Sequence, residues 1–252
     1  FLKIIYNKYF NMARQCDSQW VGTVNNLIFY KFRGHYCMRL KPGHVRRTKA
    51  SVKSSLNFGK ASQIGRQIRD VIYPINPCNS DKTMICRFTG ALNKMISWKE
   101  KIDPFSPYLK KSLPFISGFQ FNNQADMPLA IQPAVKFPGS GTMEIQLSPF
   151  ISGDTLHASF YTDHIVFKMI VTSTSLTEMK TEKKGMTEIR IPYNYEVFQT
   201  PVISIPISKN EESLILIVLS IEHFVNKKDR VKMLTDPGKL PCGVIWAGFQ
   251  PN

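Results

Sequence analysis

Two runs of apolar residues near the start of the chain have the aromatic and branched composition of β-strands, Leu27–Phe32 and His35–Leu40. Only Arg33 and Gly34 separate them, and glycine accepts the positive φ of a tight turn. The pattern therefore predicts a β-hairpin with a two-residue loop. Both faces of this hairpin are largely apolar, so we expect the fold to cover both faces or to leave one face for a partner.

The apolar period then lengthens from two residues to between three and four. Ile64 and Ile68 are four positions apart, and similar spacing predicts a helix over residues 51–72 whose apolar stripe reaches back to Leu56. A second helix is predicted over residues 81–102, which makes a helical hairpin. Its predicted apolar face consists of Ile85, Phe88, Leu92, Met95 and Ile96.

Residues 103–114 contain three prolines, which is typical of a linker between domains. Beyond this linker the apolar period returns to two, and predicted turns such as Lys184-Gly185 separate the runs. Seven to nine short strands with this spacing predict an antiparallel β-sandwich of the immunoglobulin type. The predicted strands are residues 115–121, 129–137, 142–147, 156–161, 165–174, 187–193, 202–207, 214–224 and 244–249.

These patterns predict the α+β class and divide the chain into three parts. Residues 1–20 are expected to be a leader or a mis-assigned start with an N-terminal extension, because Met12 is followed by a small residue, as initiator methionines often are. Residues 21–111 are predicted to form the basic hairpin and two-helix module. Residues 112–252 are predicted to form the β-sandwich domain.

The excess positive charge of the chain lies in its first half. The net charge is +15 at pH 7, and residues 1–111 hold 21 Lys and Arg against 5 Asp and Glu. Residues 112–252 hold 12 against 13. This asymmetry favours a polyanion partner for the first half, although a basic surface that only keeps the protein soluble would give the same balance.

Cations are dense between the hairpin and the first helix, and no acidic residue occurs between Asp17 and Asp70. Uncompensated positive charge of this density binds phosphates by releasing condensed counterions. The candidate polyanion-binding residues are Arg39, Lys41, Arg46, Arg47, Lys49, Lys53 and Lys60.

The aromatic side chains of the hairpin are candidates for stacking on bases or for assembly with a neighbouring subunit. Aromatic strand residues also commonly belong to a core, so this alternative stays open. The candidates are Phe29, Tyr30, Phe32, Tyr36 and Met38. No motif of a nucleic-acid-binding fold occurs, so we expect contact with backbone and shape rather than with base sequence.

Several short motifs over residues 20–100 occur together. They are Gly22-Thr23-Val24, Phe29-Tyr30, Arg39 before Pro42, Arg47-Thr48, and Phe58 with Ala61-Ser62. With these motifs the chain resembles an uncharacterised bacterial family whose members join such a segment to helices and then to a β-sandwich. The resemblance implies this architecture, and it brings no activity and no catalytic residue.

Catalytic and metal-binding patterns are weak. Five single cysteines without a C-x-x-C pair favour reduced thiols over disulfides or a zinc knuckle. Two loose clusters have too few ligands for a zinc site. They are His157 with Asp163 and His164, and His35 with Cys37 and His44. The longest apolar run, Leu214–Leu219, is too short to cross a membrane.

The sequence therefore predicts a non-enzymatic protein without metal or cofactor. Its basic module is expected to engage a polyanion, with nucleic acid favoured, and its β-sandwich to make protein contacts. We expect a cytoplasmic location. The alternative function is a self-associating structural subunit that assembles by strand addition, and this alternative leaves an extracellular location open.

Overall fold

The computed structural model describes residues 14–16, 19–43, 47–75, 81–99, 113–139, 141–156, 158, 161–207, 213–227 and 230–249. The chain forms two compact units, Phe1–Val52 and Lys53–Asn252. The secondary structure is a mixture of helices and antiparallel strands, which confirms the predicted α+β class. None of the described helices is both long enough and apolar enough to span a membrane.

The first unit contains a four-stranded antiparallel sheet in the order β1-β2-β3-β4. Its strands are β1 (Arg14–Cys16), β2 (Gln19–Val24), β3 (Leu27–Phe32) and β4 (His35–Leu40). The predicted hairpin with a two-residue loop is confirmed as β3 and β4. Arg33 has φ 50° and Gly34 has φ 87°, as the twist of a two-residue hairpin requires.

The sequence predicted only the hairpin, which supplies two of the four strands of this sheet. Strand β1 and the start of β2 lie within the segment that we expected to be a leader or an extension. Their polar and basic composition hid them from an analysis of apolar periodicity, because a strand at the edge of a sheet needs no apolar run.

Helix α1 spans Lys49–Ile72, starting two residues before the predicted boundary. The Thr48 hydroxyl accepts a hydrogen bond from the Ser51 amide at 3.2 Å and thereby caps the first turn. The prediction that Leu56 belongs to the buried stripe is wrong, since its side chain is 61% exposed. Burial along α1 begins only at Asn57, so apolar spacing alone does not show where the packed part of the helix starts.

Helix α2 (Met84–Lys99) packs against α1 inside the second unit. Gly65 permits the close approach, because a Cβ atom there would lie 3.1 Å from Leu92 Cδ1. Four of the five residues predicted for the apolar face of α2 are buried, whereas Ile85 is exposed. A short 3-10 helix (Tyr73–Ile75) follows α1.

Both helices cover one face of a five-stranded antiparallel sheet. The sheet order is β13-β12-β8-β9, and β14 also pairs with β12. Its strands are β8 (Thr162–Ser175), β9 (Lys180–Pro192), β12 (Ser213–Lys227), β13 (Arg230–Met233) and β14 (Cys242–Phe249).

The opposite face of this sheet packs on a smaller sheet with the order β11-β6-β5. The remaining elements are β5 (Pro133–Lys136), β6 (Thr142–Leu147), β7 (Phe150–Ile151), α3 (Ser152–Thr155), β10 (Val197–Phe198), β11 (Ile203–Pro206) and a 3-10 helix (Pro237–Lys239). Because β12 is covered by helices on one side and strands on the other, its apolar run Leu214–Leu219 is continuous rather than alternating.

Two strand predictions in the second unit need correction. Residues 113–115 form a 3-10 helix, residues 116–118 form a turn, and Gln120 makes only a single bridge to Gly243. This segment is apolar because Phe119 and Phe121 pack around Phe88, with ring centroids 4.9–5.2 Å apart. Of the strand predicted over residues 156–161, Leu156, Ala158 and Tyr161 are described, and none of these three lies in a strand.

The turn predicted at Lys184-Gly185 is a register shift within β9. A Cβ atom on Gly185 would lie 3.1 Å from Ile205 Cδ1, so the glycine marks a close approach between strands rather than a chain reversal.

The division by contacts lies at residues 52 and 53, whereas the sequence predicted a boundary at residues 111 and 112. The two helices share a core with the large sheet. From Lys53 onward they therefore belong to the second unit, and the predicted helical hairpin is part of the layered structure that contains the strands.

Candidate nucleic-acid interface

The candidate site is the four-stranded sheet of the first unit, and the register of its strands assigns side chains to two faces. Side chains alternate along each strand, and directly paired residues share a face. We call one face the A face; on β3 and β4 it carries Ile28, Tyr30, Phe32, His35, Cys37 and Arg39. We call the other the B face; on β2, β3 and β4 it carries Trp20, Gly22, Val24, Leu27, Phe29, Lys31, Tyr36, Met38 and Leu40.

The A face combines exposed aromatic rings with arginine side chains. The Arg39 guanidinium carbon lies 5.5 Å from the centroid of the Tyr30 ring, and that of Arg33 lies 5.3 Å from the Phe32 ring. Phe32 is 56% exposed and Tyr30 is 36% exposed. Cation–π contacts at exposed sites contribute only about 0.5–1 kcal/mol each. Because these contacts are weak, a ligand can displace the arginine side chains from the rings, while the arginines stay close to the rings.

The B face is more apolar. Its one described cation, Lys31, places Nζ 5.2 Å from the Tyr36 ring centroid. Trp20, Met38 and Leu40 are exposed on this face. The two faces therefore differ in chemistry, with arginine and aromatic rings on A and mostly apolar side chains on B.

The structure separates the predicted stacking residues. Tyr30 and Phe32 lie on the A face, whereas Phe29, Tyr36 and Met38 lie on the B face. Five predicted cations besides Arg39 are exposed; they are Lys41, Arg47, Lys49, Lys53 and Lys60. Arg46 lies outside the described residues.

The predicted cations are divided between the two units. Lys53 and Lys60 belong to the second unit, and the cations before them belong to the first. The structure brings Arg39 of the first unit together with the Tyr30 ring.

Sequence reasoning missed Lys31 and Arg33, which the structure places against aromatic rings. The register that follows from the two-residue loop already sets Lys31 opposite Tyr36, so the pairing contained the signal. Trp20 was also missed, because β2 was not recognised as part of the sheet.

The histidines considered for metal binding are in other surroundings. His164 Nδ1 is 2.7 Å from Asp163 Oδ2 and 3.1 Å from an Arg190 nitrogen, and its ring stacks on Phe224. His157 and His44 lie outside the described residues. Within the described part of the chain, no three His, Cys, Asp or Glu residues are grouped so that they could hold a metal ion.

The buried Glu222 carboxylate of the second unit forms a structural ion pair. Lys168 Nζ lies 2.9 Å from the buried Glu222 carboxylate and 3.9 Å from Glu188. These side chains come from three neighbouring strands of one sheet, and an ion pair between adjacent strands needs no ligand to explain it.

In comparisons with protein-family models, with curated proteins and with solved structures, nothing matched this chain.

Proposed function

We propose that the protein is a non-catalytic nucleic-acid-binding protein whose A face binds single-stranded nucleic acid. The observation that carries this proposal is the pairing of Arg39 with Tyr30 and of Arg33 with Phe32 on one open sheet surface. No acidic residue occurs between Ser18 and Arg69 to oppose a phosphate backbone.

Single strands fit this surface better than a duplex does. Bases that are not paired can stack on exposed aromatic rings, while cations beside the rings contact the phosphates. A duplex offers its phosphates but keeps its bases stacked inside. Arg39 and Arg33 alone would serve either ligand, so the exposed Tyr30 and Phe32 rings favour single strands.

The immunoglobulin-like topology of residues 112–252 stays a prediction. The proposal does not depend on an immunoglobulin-like topology for residues 112–252 or on the resemblance to a bacterial family. It depends on the composition and register of β3 and β4.

The salt dependence of binding tests the phosphate contacts. We expect a labelled single-stranded oligonucleotide to bind the full chain, with log affinity falling linearly against log salt. Arg33→Gln combined with Arg39→Gln should make this slope shallower by about 1.4, at about 0.7 for each phosphate contact on a single strand. Fluorescence anisotropy at several salt concentrations measures the slope.

A matched control removes the same number of positive charges from an edge strand of the second unit. Arg230→Gln combined with Lys232→Gln removes two exposed cations from β13 and should leave the slope unchanged. Tyr30→Leu combined with Phe32→Leu should weaken binding of the single strand at least fivefold, since stacking contributes about 1–3 kcal/mol per base. Equal slopes for the parent and the arginine variant, or no binding at low salt, would refute the proposal.

A further inference from the structure

The outer edge of β4 offers unpaired backbone groups. In a two-residue hairpin the residues beside the loop exchange both hydrogen bonds, and bonded pairs then alternate along the strands. The Lys41 amide donates to the Asn26 carbonyl oxygen at 2.6 Å, and this is one of the hydrogen-bonded pairs that the alternation predicts. The backbone groups of Tyr36, Met38 and Leu40 therefore point away from β3, and β4 is the last strand in the sheet order of the described residues.

Four other described edge strands carry features that oppose pairing with a second chain. The long edge strand β9 is rich in charged side chains, β13 carries Arg230 and Lys232, and β5 and β11 contain Pro133 and Pro206. Charge, proline and shortness are the common protections of an exposed edge. Strand β4 has six residues, no proline and a largely apolar composition.

The sequence of β4 is complementary to itself in one antiparallel register. With a two-fold axis at Met38, Tyr36 of one copy faces Leu40 of the other, so all three outward residues of each copy are paired. On the A face, Arg39 then faces Cys37. A shift of the axis to Arg39 would place two arginines in direct opposition and bring Pro42, which has no amide hydrogen, opposite Tyr36.

A shift in the other direction is also less favourable. With the axis at Cys37, Leu40 would face Gly34 in the turn, and one outward residue of each copy would lose its partner. The register centred on Met38 is therefore the one that uses the whole edge.

We propose that β4 pairs with β4 of a second copy of this chain, in antiparallel register about an axis at Met38, to form a continuous eight-stranded sheet. The inference does not depend on the proposed function, because it uses the edge backbone and the apolar B-face side chains. Since the axis is perpendicular to the sheet, the A faces of both copies lie on the same side.

The test is the mass of the full chain in solution, measured by sedimentation after nuclease treatment and at high salt, where nucleic acid is released. We expect the parent to be a dimer. Met38→Lys and Met38→Glu each place like charges in direct opposition and should raise the dimer dissociation constant about tenfold or more, equivalent to about 1.4 kcal/mol. An equal mixture of the two variants should recover the dimer, because opposite charges then face each other.

Leu129→Lys is the matched control, since Leu129 is a highly exposed apolar residue of the second unit, and this variant should stay dimeric. A monomeric parent would overturn the proposal. So would Met38 variants that dimerise as the parent does, or a mixture that stays monomeric. Because Met38 is 60% exposed, its substitution should leave the melting temperature within a few degrees of the parent value.

Discussion

At the scale of single residues, His223 is a buried side chain whose charged form is disfavoured. It lies in β12 with 3% exposure, and in the described part of the chain Nδ1 has no hydrogen-bond partner. Burial lowers the pKa of His223 and the positive charge of Lys239 adds to this effect, so that together they bring it from 6.5 to about 4. The folded protein therefore holds this imidazole neutral at pH values at which an unfolded chain would protonate it.

The consequence is a loss of stability in mild acid. Between pH 6.5 and about 4 the unfolded chain binds a proton that the folded chain excludes, so the free energy of unfolding should fall as pH falls, by up to about 1.4 kcal/mol per pH unit. His223→Leu should flatten this dependence in urea denaturation at a series of pH values. His35→Gln, which removes an exposed histidine, should leave it as in the parent; the same slope in His223→Leu would contradict this account.

At the scale of elements, helix α1 contains two glycines with opposite surroundings. Nothing lies within 4 Å of a Cβ atom placed on Gly59, whereas one on Gly65 would be 3.1 Å from Leu92 Cδ1 and 3.2 Å from Arg69 Nη1. Gly59 is thus only a weak helix former, while Gly65 sets the distance between α1 and α2.

Alanine at these two positions should therefore change stability in opposite directions. Gly59→Ala should raise the free energy of unfolding by about 0.5–1 kcal/mol through helix propensity. Gly65→Ala should lower it by about 1–2 kcal/mol, because overpacking outweighs the same propensity gain. Chemical denaturation measures both, and a stabilised Gly65→Ala variant would show that the helices can separate without cost.

The sequence predicted elements better than it predicted their arrangement. Strand β6 and the β3–β4 loop were predicted as observed, because alternation and turn chemistry are local. The packing of α1 and α2 on the large sheet was missed, although the continuous apolar run Leu214–Leu219 is the pattern of a strand covered on both faces. The site was predicted in part, since Lys31 and Arg33 become candidates only once strand register is considered.

At the scale of the whole molecule, the two compact units differ in which side chains their described residues bury and expose. The described residues that are buried all lie between Asn57 and Gly248, in the second unit. The first unit exposes aromatic, apolar and basic side chains of a thin sheet. A sheet whose described residues form no buried core is suited to binding, whereas the layered second unit supplies the stable core.

The most direct test of the central claim is photochemical cross-linking of a single-stranded oligonucleotide to the full chain, with mass spectrometry of the digested complex. Ultraviolet light joins bases to the residues against which they stack. The account predicts nucleotide adducts on peptides that contain Tyr30 and Phe32, and loss of these adducts in the variant that carries Tyr30→Leu and Phe32→Leu. Adducts confined to residues 113–249, or adducts unchanged in that variant, would contradict it.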